Sequence, residues 1–133
     1  MVKVRANLVV CGENFSPKIF TTISSIKLLD PVEPGSIAKV GRFKGKPSPN
    51  GSAILAISDQ AKGWNEFDEL LCLIEKSMCA LREAKADEMV LSCSLYHDGQ
   101  CNFGFTPSDL KRIADLEIDF HISCYVEETV KFP

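Results

Sequence analysis

"VKVRANLVV", residues 2–10, decides how the rest of the chain is read. Val2, Val4, Ala6, Leu8 and Val10 are apolar, and Lys3, Arg5 and Asn7 between them are polar. Successive side chains of a strand point to opposite faces, so this alternation predicts a half-buried strand with its even positions turned to a core. Glu13–Asn14 closes it. The same test finds two more strands. Met89, Leu91, Cys93 and Leu95 alternate with Val90, Ser92, Ser94 and Tyr96. Ile118, Phe120, Ile122, Cys124 and Val126 alternate with Asp119, His121, Ser123, Tyr125 and Glu127, the clearest strand of the chain.

Helix starts are written as plainly. In "NFSPKIF", residues 14–20, Ser16 suits an N-cap, because its hydroxyl accepts a bond from an orphan N–H of the first turn. Pro17 falls at the first helical position, where its missing N–H costs nothing. Phe15 and Phe20 occupy the positions of a hydrophobic staple, and Ile19, Phe20, Ile23 and Ile26 are expected to line the buried face. "GFTPSDL", residues 104–110, repeats the pattern. Thr106 caps, Pro107 is first, Asp109 completes a capping-box variant, and Phe105 can staple to Leu110. Leu110, Ile113 and Ala114 continue its stripe. Local physics accounts for the whole echo, so it needs no functional meaning.

Asn65 is expected to cap the longest helix, about Glu66 to Lys85, with Trp64 over its entrance. Phe67, Leu70, Leu71, Ile74, Met78 and Leu81 stay within an arc of about 100°. Cys72 and Cys79 lie on its flank. After the Pro/Gly-rich "LLDPVEPGS", two strands are predicted at Ser36–Phe43 and Ser52–Ser58, joined by an exposed loop around "KGKPSPNG". No acidic residue occurs from Pro34 to Ser58, whereas Lys39, Arg42, Lys44 and Lys46 do, so this hairpin is a basic finger. It is either a solvated edge guarded by lysines or a contact for an acidic partner.

The expected order is therefore β-α-β-β-α-β-α-β. Its first six elements match a ferredoxin-like βαββαβ core, and a C-terminal αβ is added. This is an α+β fold, a mainly antiparallel sheet with helices on one face. The 133 residues suit a single domain, 1–133, large enough to hold a core without metal or disulfide. Apolar residues make up 45% and charged residues 25%, ordinary for a globular protein. The short apolar runs predict no membrane span, and the alternating N-terminus does not read as a signal peptide. A cytoplasmic setting is expected, with the six cysteines reduced and mostly serving as small apolar groups.

Net charge is −3, unevenly spread. Residues 1–60 carry eight Lys/Arg against four Asp/Glu, and residues 61–133 seven against fourteen. A strongly basic nucleic-acid footprint is absent, so nucleic acid is not a favoured partner.

If the even positions of the first strand face the helices, the opposite sheet face displays Lys3, Arg5, Asn7, Ser92, Ser94, Tyr96, His121, Ser123 and Tyr125. An antiparallel sheet tolerates one wet face, so this surface is either plainly solvated or a binding platform. Tyr and Arg offer large contact area with polar handles, which singles out Arg5, Asn7, Tyr96, His121 and Tyr125 as candidate binding residues. Catalysis finds little support. There is no GxSxG elbow, and Cys124 is expected to point to the core when His121 points away. "CSLYHDGQC" offers Cys93, His97, Asp98 and Cys101 but no C-x-x-C, so no metal site is assigned. No Gly-rich phosphate loop is present and no cofactor is expected.

"ANLVVCGENFSPKIF" and "CSLYHDGQCNFGFTPSDLKRIADLEIDFHISCYV" together resemble a small bacterial family known as domain of unknown function 4279. The likeness spans nearly the whole chain and rests on cap and core signals. One departure is that the family often has a Trp opening its third strand, where this chain has Ser52–Ala53. The resemblance implies a fold and a bacterial cytoplasmic setting, and no reaction. The expected function is a non-enzymatic protein-binding module, engaging a protein partner or a second copy, in one form an immunity or accessory protein. The alternative is a small-molecule sensor or minor enzyme with a pocket near His121.

Overall fold

The computed structural model describes residues 2–57 and 64–127, without the side chains of 64–66. Its elements are β1 (Val2–Gly12), α1 (Pro17–Ser24), β2 (Leu29–Val32), β3 (Gly51–Leu55), α2 (Trp64–Glu83), β4 (Glu88–His97), α3 (Pro107–Asp115) and β5 (Asp119–Val126). The five strands form one sheet in the order β2-β3-β1-β4-β5. Pairing is antiparallel for β2–β3, β3–β1 and β1–β4, and parallel for β4–β5. The fold is mixed α+β with a mostly antiparallel sheet. Its fifth strand lies outside β4, so the sheet differs from a bare four-stranded βαββαβ arrangement.

The even side chains Val4, Ala6, Leu8 and Val10 of β1 are buried. So are Ala53 and Leu55 of β3, and Met89, Leu91, Cys93 and Leu95 of β4. Leu8 lies between Leu55 and Leu91, so the core faces of three strands meet along one row. Phe67, Leu70, Leu71, Ile74 and Leu81 of α2 cover this row. Each such Leu or Phe contributes roughly 1.5–3 kcal/mol relative to an exposed side chain. Met78, expected in the same stripe, is only half-buried. The buried position beside it is Ser77, whose hydroxyl donates to the Leu73 carbonyl at 2.6 Å.

Both helix starts have their expected caps. The Ile19 N–H donates to Ser16 Oγ at 3.2 Å, and Phe15 and Phe20 are fully buried. Thr106 and Asp109 exchange the two bonds of a capping box, at 3.0 and 3.1 Å. The sequence did not indicate a further anchor at Glu33. Its carboxylate accepts from Ser16 Oγ at 2.6 Å and from the Lys18 N–H at 3.0 Å, placing a negative charge at the positive end of α1. Another anchor is Arg112 of α3. It donates to Asp68 at 2.6 Å, to Glu75 at 2.8 and 3.3 Å, and to Cys72 Sγ at 3.3 Å. Positions 68, 72 and 75 share one flank of α2, so a single guanidinium fastens α3 alongside it.

Several expectations need correction. No strand forms over 36–43. The chain there turns repeatedly, with Gly35, Gly41 and Gly45 at positive φ and only isolated bridges, Ile37 with Pro47 and Ala38 with Lys44. Its partner strand, expected at Ser52–Ser58, is β3, ending at Leu55; Ser58 lies outside the described residues. The second strand is instead β2, inside the supposed connection. In α1 the buried stripe runs through Pro17 and Phe20, which leaves Ile19 and Ile23 exposed. In α3 only Ile113 of the expected stripe is buried. Leu110 and Ala114 are exposed, and Phe105 packs edge-on against Phe67 and Phe120. The helix expected to begin after an Asn65 cap already includes Trp64. The side chains of Trp64 and Asn65 lie outside the described set.

Gly51, which opens β3, has no room for a side chain. A Cβ there would meet the backbone carbonyl of Phe15, which cannot swing aside as a side chain would. Gly99 has open space around it. Gly51→Ala is therefore expected to lower stability by about 3 kcal/mol or more, and Gly99→Ala to change it by under about 0.5 kcal/mol, in urea unfolding.

Candidate functional site

The candidate site is the sheet face turned away from the helices. The odd side chains of β1, the even ones of β4 and the odd ones of β5 all point there, and the registers arrange them in rows. Lys3 lies beside Tyr96, which lies beside Tyr125. The next rows are Arg5–Ser94–Ser123 and Asn7–Ser92–His121. Strands lie about 4.8 Å apart and same-face neighbours about 6.8 Å, so these nine residues occupy a patch of about 10 by 14 Å between Cα positions. The five residues singled out from the sequence, Arg5, Asn7, Tyr96, His121 and Tyr125, thus share one surface.

Its dominant contact is between the two tyrosines. Their ring centroids are 5.2 Å apart with 20° between the planes, a stacked pair. Lys3 is neutralised by Glu127 at 2.9 Å, while the exposed Arg5 makes no ion pair among the described residues. His121 is exposed. The result is an aromatic slab next to an unpaired guanidinium and two rows of hydroxyl, amide and imidazole groups. Such a surface can stack, donate and accept.

The basic segment lies at the other end of the same face. Lys39, Arg42, Lys44 and Lys46 are exposed on the loop between β2 and β3. Backbone bonds close this loop: Ala38 N–H to Lys46 O at 2.9 Å, Gly45 N–H to Ala38 O at 2.8 Å and Ser48 N–H to Ser36 O at 2.7 Å. The Arg42 guanidinium lies 5.6 Å from the Phe43 ring centroid. Between loop and sheet is a groove of about 530 Å³, with Cys11 and Ser52 among its lining along with Val32, Ile37, Val40 and Phe43. Sequence reasoning missed this groove, because residues 36–43 read as a strand and not as a loop that folds back over the sheet. From Asn7, the near end of the platform, to Cys11 is about 14 Å along β1, so platform and groove are separate sites on one face.

Cys11 is held as a thiol. Burial, the hydrogen bond it donates to Glu88 at 3.3 Å, and the charges of Glu88 and Asp87 push its pKa up from 9.0 to about 11. Cys93, in the core, is also pushed up to about 11, mainly by burial. A second cavity, about 430 Å³, is lined by Arg82, Asp87, Glu88, Glu117 and Asp119 with apolar neighbours. Neither cavity includes His121. Among the described residues no group of three or more His, Cys, Asp or Glu is placed to hold a metal ion, and no helix is long and apolar enough to cross a membrane.

Only a thiolate is alkylated, and about a thousandth of a thiol with pKa 11 is ionised at pH 8. In the native protein at pH 8, iodoacetamide should modify the exposed Cys72, Cys79 and Cys124 well before Cys11 and Cys93, as read by peptide mass spectrometry. Raised thiol pKa values also mean that the unfolded chain ionises first. The stability contributed by these two thiols is present below pH 9 and is lost progressively between pH 9 and about 11.

Comparisons with protein families, with curated proteins and with solved structures returned no match.

Proposed function

We propose that the protein is a non-enzymatic interaction module that holds a protein partner on the open sheet face. The observation that carries this reading is the stacked Tyr96–Tyr125 pair beside Arg5, which is exposed and has no ion-pair partner among the described residues. Tyr and Arg are the side chains most often found at the energetic centre of protein interfaces. Tyr96 and Tyr125 also stiffen each other, so little side-chain entropy is lost when a partner settles on them. A nucleic-acid partner is not favoured, because Arg5 is the one cation of this patch without a carboxylate among the described residues, and phosphate binding draws on several.

The proposal extends to the setting. The module works in the bacterial cytosol, in the family of domain of unknown function 4279, and one form of its task is that of an immunity or accessory protein. The ferredoxin-like reading of the first six elements belongs here too. It is supported by β1 lying between β3 and β4, with β2 outside β3. No observation favours the alternative of a sensor or enzyme pocket at His121.

Affinity capture from the native host, read by quantitative mass spectrometry, tests the platform. A protein enriched by the wild type should fall at least about tenfold with Arg5→Ala, Tyr96→Ala and Tyr125→Ala combined, while the melting temperature stays within a few degrees. Undiminished capture by the triple variant would overturn the reading.

A further inference from the structure

The two edges of the sheet are built differently. On one side, β2 has four residues, contains Pro31, has Asp30 at positive φ, and slips register against β3 between Leu29 and Val32. These are the devices that keep an edge from pairing with another chain. On the other side, β5 runs eight residues in unbroken register with β4, from Asp119 beside Val90 to Val126 beside His97. Its sequence, DFHISCYV, contains no proline, lysine or arginine. Among the described residues nothing pairs with its outer edge.

Among the described residues, little covers the helix-side face of β5 beyond Phe120. Phe120 packs against Phe67 and Phe105, and there the helix layer stops. Beyond it Ile122 is 47% exposed and Val126 72%, with Cys124 exposed between them. Their parity turns them to the core side, where Cys101 of the loop before α3 reaches Cys124 while Ile122 and Val126 stay largely open.

We propose that β5 is a self-pairing edge, and that its partner is β5 of a second copy, antiparallel, with Ile122 on the two-fold axis. Self-complementarity selects this occupant and this register. Ile122 meets Ile122, Phe120 meets Cys124, and Val126 meets Ile118, so apolar groups face apolar groups on the helix side. On the open side His121 meets Ser123, and the Asp119 carboxylate faces the Tyr125 hydroxyl, an acceptor opposite a donor. Within the strand no two like charges oppose each other; beyond its ends Glu117 faces Glu127, whose carboxylate is already paired with Lys3 at 2.9 Å. Moving the axis to Ser123 would bring the like-charge contact onto the strand itself, Asp119 against Glu127, and moving it to His121 would shorten the overlap and oppose the two histidines. The paired sheet has ten strands, and both open faces lie on the same side of it. This inference rests on the edge of β5; it shares His121 and Tyr125 with the platform proposed above and leaves Arg5 and Tyr96 free.

Sedimentation equilibrium of the full chain from 1 µM to 1 mM, an arbitrary range of roughly a thousandfold chosen to span weak pairing, is the test. The wild type is expected to reach the mass of a dimer within that range. Ile122→Lys, which brings two ammonium groups together on the axis, should raise the dissociation constant at least about a hundredfold. Circular dichroism at low concentration reports whether this variant folds. If it does not, Val126→Lys, at a position already exposed, replaces it with the same expected direction. A wild type that stays monomeric to 1 mM overturns the proposal, as does a dimer that the folded lysine variant leaves intact. Loss of the dimer in the lysine variant, with an Arg5→Ala and Tyr96→Ala double variant still dimeric, separates this edge from the platform.

Discussion

β1 is hydrogen-bonded on both sides, and the rest of the structure depends on that strand. Ten of its residues are in register with β4 and five with β3. Since side chains alternate, a slip of one residue would send Val4, Ala6, Leu8 and Val10 into water and bring Lys3, Arg5 and Asn7 under the helices. Burying Arg5 without a partner would cost several kcal/mol, far more than a slipped ladder could return. The parity of nine residues thus settles which face α2 covers and which side chains are collected on the other.

The open face is graded along β1. At one end are the stacked tyrosines and Arg5. Further along, Val9 and Val90 form an apolar cross-row with Ile54 and Leu29, all wholly or partly accessible. At the far end are Cys11, Ser52 and the groove under the basic loop. Glu33 ties that loop to the first turn of α1, so the groove wall is fastened at its root to the helix layer. The helix layer itself is narrower than the sheet. It covers β1, β3 and β4 and ends at Phe120, which is why the chain's most regular alternation, in β5, coincides with its least buried strand.

Much of this was legible in the sequence, for identifiable reasons. Parity alone put Arg5, Asn7, Tyr96, His121 and Tyr125 on one face, because β1, β4 and β5 alternate without interruption. Ser16-Pro17 and Thr106-Pro107 announced two helices through bonds that are local by nature. What failed was non-local. β2 was hidden because Pro31 and the positive φ of Asp30 break the pattern a strand should show. The loop over 36–43 mimicked a strand, since Ile37, Val40 and Phe43 are β-branched or aromatic, yet it finds only isolated bridges, Ile37 with Pro47 and Ala38 with Lys44. The exposure of Ile19, Leu110 and Ile122 could not be read either, because an apolar stripe shows which side faces inward and not how far the covering layer reaches. The stacking of Tyr96 on Tyr125 needed the parallel register of β4 and β5, which no local signal encodes.

Nuclear Overhauser contacts in solution test the shared-face claim most directly. The account predicts ring-to-ring contacts between Tyr96 and Tyr125, with Arg5 close to Ser94 and far from the Leu91 methyl groups. Contacts of Arg5 or Tyr96 with Leu91, Leu70 or Ile74 in the helix-side core would contradict it.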